Sequence, residues 1–321
     1  MTSQAQHFPR YAAVELGSDS FRLHVGRVER GELLLEASLC EPVRLAASFE
    51  EDGSLCEAAM RRALASLREF AQLLDAWRPQ AVRVVATSAL RMARNAQVFL
   101  PAAETALRRP IELIAGDEAG RLVYMGVTST LGGDDGRRRL VLDIGSGSTE
   151  LVLGRGPSIE RIESFAVGAV RQSLSFFADG RIDAACFDAA VRSGRSRFAE
   201  STVAGRHPPL AYGACGTVRA LAEIALEDGI ADGRLTMEGL CELRRRFIEA
   251  GHVARVRLAW PAAARAPHLA GGLALLLALM EEYGITEVLP VHAGLRVGAL
   301  WDLHWRSVAL PPALPAFARM G

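Results

Sequence analysis

Val14-Glu15-Leu16-Gly17-Ser18-Asp19-Ser20 and Leu142-Asp143-Ile144-Gly145-Ser146-Gly147-Ser148 are two copies of one phrase: apolar, acid, apolar, then Gly-Ser-x-Ser. Each reads as a buried strand that delivers one carboxylate to a tight turn of small residues. Such a turn suits phosphate. Small side chains let backbone N–H groups approach an oxyanion, serine hydroxyls add donors, and the acid at the strand end can hold a divalent cation. Two of these turns facing one another would make a phosphate clamp.

Working outward, both phrases open the same succession of elements. Tyr11 to Leu16, Phe21 to Val28 and Leu33 to Leu39 alternate apolar and polar residues, which predicts three antiparallel strands with Gly31 in a turn. A helix over 54–77, a strand Ala81 to Ala86, a helix Asn95 to Leu107 and a strand Ile111 to Ile114 follow. The pattern then restarts. Strands are expected at Leu140 to Ile144, Thr149 to Leu153 and Ile159 to Phe165, and helices at 168–178 and 184–203. Next come a strand Leu210 to Tyr212, a helix Thr217 to Glu227 and a mostly helical stretch from Thr236 to Tyr283. A strand Glu287 to Pro290 and a helix from Gly294 to about Trp305 close the pattern. Two such halves predict an α/β protein with two ribonuclease-H-like domains, the duplicated architecture of actin, hexokinase and related ATPases, with the ligand in the interdomain cleft. The expected domains are 1–125, which could also take the helix near 300–310, and 126–300, with a loosely held tail at 306–321 containing Pro311, Pro312, Pro315 and Phe317.

Bulk properties exclude several classes. Lys plus Arg and Asp plus Glu are 37 each, so no global field recruits nucleic acid or a membrane surface. Five scattered cysteines without a Cys-x-x-Cys pair argue against a zinc site or disulfide framework and for a reducing, cytoplasmic setting. Residues 1–13 lack the apolar core of a secretory signal, and the apolar run Leu269 to Met280 is too short to span a bilayer.

Five further segments give the chain a specific resemblance: Ala86-Thr87-Ser88-Ala89-Leu90-Arg91, Gly116 to Leu122, Asp143 to Leu151, Gly216 to Leu221 and Gly271 to Leu276. In this order they resemble the signatures of the exopolyphosphatase and guanosine pentaphosphate phosphohydrolase (Ppx/GppA) family, in a short form without that family's C-terminal helical domain. The resemblance implies an actin-like fold and magnesium-dependent release of terminal phosphate from polyphosphate or a guanosine pentaphosphate alarmone. Asp143 and Glu150, with Glu15, are then the candidate metal ligands. Gly17, Ser18 and Ser20 would bind one phosphate, and Gly145, Ser146, Gly147, Ser148 and Thr149 another. Gly216 and Thr217 offer a third anion site at a helix N-terminus. Arg22 and Arg91 stand where the resemblance puts arginines near the polyanion, with Arg171, Arg265 and Arg296 as weaker candidates. Cys215 reads as a small buried residue, not a nucleophile.

The departures from that family share a direction. Its helix after strand Ile111 to Ile114 presents Glu-Glu, the second being the general base; here the pair is Glu118-Ala119, leaving Glu118 as a displaced candidate base. Asp19 stands where asparagine is usual, Glu15 where aspartate is usual, Ala264-Arg265-Ala266-Pro267 replaces an acidic signature, and His292 and Val297 occupy positions where acids are common. Two functions therefore stand side by side: a phosphohydrolase, weakened by Ala119, and a regulatory protein that binds polyphosphate or a guanosine polyphosphate while hydrolysing little. An actin-like sugar or acetate kinase shares the fold but not these signatures. A homodimer is left open.

Overall fold

The computed structural model describes residues 8–132, 136–201, 210–256 and 266–309. From residue 310 onward the expected tail lies outside the described residues, as do Arg265 and Ala264.

The chain builds two sheets by the same rule. Strands β1 (Arg10–Leu16), β2 (Phe21–Glu29) and β3 (Glu32–Glu41) form an antiparallel meander. Helix α1 (Glu57–Trp77) returns the chain to β4 (Ala81–Ala86), parallel to β1, and two helices, α2 (Ser88–Met92) and α3 (Ala96–Leu107), lead to the short β5 (Glu112–Leu113). The strand order is β3-β2-β1-β4-β5. After α4 (Gly116–Leu131), the second meander comprises β6 (Arg138–Ile144), β7 (Thr149–Arg155) and β8 (Ser158–Phe165). Helices α5 (Ala169–Phe176) and α6 (Ala184–Phe198) precede β9 (Leu210–Gly213), which runs parallel to β6. Then follow α7 (Gly216–Glu227), β10 (Leu235–Thr236), α8 (Met237–Ala250), α9 (Ala266–Tyr283), β11 (Glu287–Pro290) and α10 (Leu295–Ala309). This sheet is ordered β10-β11-β9-β6-β7-β8. The result is the two-domain actin-like fold.

The duplication extends to details. Leu16 pairs with Phe21 at the end of one hairpin and Ile144 with Thr149 at the end of the other, and both second strands carry a bulge after the fifth residue, at Val25/Gly26 and Leu153/Gly154. Each half has its own core, around Phe70 and Phe99 in the first and around the buried α9 in the second. The apolar run Leu269 to Met280 is consumed there, and no described helix is long and apolar enough to cross a membrane.

The boundary expected between residues 125 and 126 falls inside α4, a continuous helix. Packing explains it. Helix α4 lies on β6, β7 and β8 of the second sheet, α10 lies on β1, β2 and β4 of the first, and the two helices pack on each other. A third apolar cluster, including Tyr11, Leu122, Val141 and Trp301, fills the space between the halves. The helices cross at glycines: a Cβ at Gly298 would lie 1.8 Å from the Leu122 carbonyl oxygen, and one at Gly126 would lie 2.4 Å from that of Gly294. The sequence also gave no sign of α2 or β10, and the helix expected to reach 203 stops at Phe198.

Candidate active site

The ends of both hairpins open onto one cleft of about 490 Å³ between the halves. Gly17, Ser18, Ser20, Arg22, Arg91, Gly145, Ser146, Ser148, Gly216 and Thr217 line it, together with Glu15, Asp143, Glu150 and Arg296. The two turns also meet. The hydroxyls of Ser18 and Ser88 are 2.9 Å apart, the Ala89 N–H donates to Ser18 Oγ, and a Cβ on Gly147 would stand 2.8 Å from Ser88 Oγ and 3.3 Å from Ser18 Oγ. Gly147 is thus the contact point between the turns and does not line the cleft.

Asp143 and Glu150 are partners across β6 and β7. Burial and the charge of Glu15 raise the Asp143 pKa; burial and Asp143 raise that of Glu150, against opposing hydrogen bonds from Ser148 and Ser164. The Ser164 hydroxyl donates to Glu150 Oε1 at 3.0 Å. Among the described residues no cluster of three or more His, Cys, Asp or Glu side chains is set to hold a metal. Two buried, mutually repelling carboxylates fit a magnesium ion that takes its remaining ligands from water and phosphate.

Several expectations are corrected. Glu15, expected as a metal ligand, lines the cleft with its carboxylate paired to Arg296. Thr149 is fully buried and its hydroxyl donates to the Val167 carbonyl at 2.7 Å, so it fastens the hairpin and cannot bind phosphate. Thr217 lines the cleft, yet its hydroxyl donates to the Ile144 carbonyl, leaving only backbone N–H groups at the start of α7 for an anion. Arg171 lies outside the cleft and donates to the Ala166 carbonyl.

Glu118 does not face the cleft at all. Its carboxylate accepts from Arg83 at 2.8 Å and from Arg121 at 2.7 and 2.8 Å, and Asp302 on α10 accepts from both arginines. Those bonds hold its pKa down at about 2, with Arg121 the largest cause, so it is a poor proton acceptor. Consecutive helical residues diverge by about 100°. Here that turn puts Ala119 on the cleft wall, on the face where methyl groups at Gly116 and Gly120 would come within 3.9 Å of Glu150.

Of the arginines, Arg22 donates from Nε to Ser20 Oγ at 2.9 Å, and Arg91 to the Ile114 carbonyl at 2.7 Å. Cys215 is buried, its thiol pushed up to about 11 by burial and by Asp143, and is thus unreactive. Reasoning from sequence missed Arg219, His24 and Ser88, all of which line the cleft. Arg219 and Ser88 lie inside quoted motifs, a usable signal. His24 carries none except its place on the same face of β2 as Arg22.

The sequence pattern of the Ppx/GppA phosphatase family matches residues 25–306. The chain belongs to the Ppx/GppA phosphatase family. It is 36% identical over 305 residues to a guanosine-5'-triphosphate,3'-diphosphate pyrophosphatase of Vibrio campbellii, covering 94% of this chain and 60% of that relative's length. The fold is also that of the Aquifex aeolicus PPX-GPPA enzyme, with a TM-score of 0.76 and 24% identity over 92% of this chain and 100% of that one. An exopolyphosphatase from Cytophaga hutchinsonii superposes with a TM-score of 0.81 at 22% identity, over 92% of this chain and 97% of that one.

Proposed function

We propose that this chain is a phosphohydrolase that releases terminal phosphate from inorganic polyphosphate or guanosine pentaphosphate, working in the cytoplasm with magnesium held by Asp143 and Glu150. The reading is carried by the cleft where two Gly-Ser turns, the arginines Arg22, Arg91, Arg219 and Arg296, and two buried carboxylates come together. Such a set does what phosphoryl transfer asks of a protein: it positions the chain of phosphates and neutralises its charge. Backbone N–H groups and serine hydroxyls of the turns orient the oxyanions, and the guanidiniums offset the charge that would otherwise keep a polyanion out. When bound, the cation would neutralise the phosphoryl oxygens and polarise the anhydride.

What the cleft lacks is a carboxylate at position 119 to take the proton of the attacking water. A general base contributes about 10²- to 10⁴-fold, so turnover is expected to be slow. The same observation supports a second reading, a protein that binds polyphosphate or the alarmone and hydrolyses little. Phosphate release from polyphosphate and from guanosine pentaphosphate with magnesium, measured beside thermal stabilisation by each, separates them. Release that depends on Asp143 and Glu150 supports the enzyme; stabilisation without release supports the binding protein; neither would sink both.

A further inference from the structure

Arg296, on α10, is held by two acceptors from the first sheet. Its Nε donates to His24 Nε2 at 3.3 Å, and its Nη1 pairs with Glu15. A ring nitrogen that accepts carries no proton, so His24 is neutral, with its hydrogen on Nδ1. Burial, then the charges of Arg296, Arg22 and Arg219, push its pKa down to about 3, so it remains neutral wherever the protein works. Nδ1 is buried and meets no partner among the described residues. An apolar side chain would avoid that unpaired donor. The one thing histidine provides here is an acceptor for Arg296.

We propose that His24 is a positioning residue: with Glu15 it fixes two nitrogens of the Arg296 guanidinium and leaves Nη2 as the edge that binds an oligophosphate oxyanion in the cleft. Arg22 and Arg219 line the same cleft. Arg219 forms no ion pair among the described residues, so its guanidinium is not committed to a carboxylate as that of Arg296 is to Glu15. Glu15, expected as a metal ligand, thereby acts through an arginine. An arginine held at two points loses less freedom on binding than a free one, which is where the affinity comes from.

This inference rests on the polyphosphate reading above, and the test keeps the two apart. Tripolyphosphate with magnesium is titrated calorimetrically into the wild type and into His24→Leu, His24→Gln and Glu15→Gln, with melting curves of each protein alone. His24→Leu should bind about tenfold more weakly, its melting curve serving to show that it is folded. His24→Gln, whose amide oxygen can accept from Arg296, should recover most of that loss, and Glu15→Gln, which keeps an acceptor for Arg296, should lose less than the leucine variant. Wild-type affinity in a folded His24→Leu, or a full tenfold loss in His24→Gln despite its acceptor oxygen, overturns the role of His24 and leaves the polyphosphate reading standing. Failure of the wild type itself to bind tripolyphosphate overturns that reading and this inference with it.

Discussion

The two hairpins share a turn and differ in the residue across from its acid. In the first, Glu15 faces Arg22; in the second, Asp143 faces Glu150. One substitution in an equivalent position reverses the local charge. The first hairpin gathers arginines and has its own acid paired by Arg296, whereas the second keeps two buried carboxylates, with burial and the charge of Asp143 disfavouring ionisation of Glu150. Like charges about 5 Å apart at an effective dielectric near 20 repel by about 3 kcal/mol. The same backbone device thus occurs twice, with an arginine across from the acid in one copy and a glutamate in the other.

The strongest way to break this comparison is Glu150→Gln. It should reduce magnesium-dependent phosphate release to background while raising the melting temperature of the metal-free protein at neutral pH. The sign follows from the raised pKa: between the ordinary carboxylate range and the folded value, the native state holds a proton that the unfolded chain has released, so stability falls as pH rises. A glutamine removes that slope. Unchanged turnover would show that the second hairpin is not the cation side.

Ala119→Glu sharpens the comparison by restoring an acid to the wall beside Glu150, and phosphate release should rise by up to about 10²-fold. If a folded variant gains nothing, the losses at His292 and Val297 limit the reaction. Gly147→Ala tests whether the turns must meet. Its methyl would crowd Ser88 Oγ, and tripolyphosphate affinity should fall about tenfold, with recovery in the double variant Gly147→Ala, Ser88→Ala, which deletes that oxygen. An additive double variant would place the effect elsewhere.

The smallest effect is expected at Glu118→Gln. Because Arg121 and Arg83 depress this carboxyl from its ordinary 4.5 to about 2, its contribution to stability is present above the higher value and lost as pH falls through the lower. The variant should flatten acid unfolding in that window and leave turnover unchanged. A marked loss of turnover would return Glu118 to the site.

Much of this was legible in the sequence because it is local. Strand alternation and Gly-Ser turns are encoded over a few residues, and β11 lies where Glu287 to Pro290 was expected. Side-chain commitments were not legible, since each depends on a distant partner. Glu118 is held away from the cleft by Arg83 and Arg121, both of which are also bound by Asp302, far along the chain on α10. Glu15 is claimed by Arg296, and the Thr149 hydroxyl by a carbonyl on the loop after β8. The motif reports which residue types reach the cleft; packing decides which of their atoms are still available.

The glycine crossing of α4 and α10 has a mechanical consequence. With main chain touching main chain at Gly126, Gly294 and Gly298, no compressible side-chain layer lies between the two helices at that point. This contact leaves the two helices no room to move closer together at the crossing.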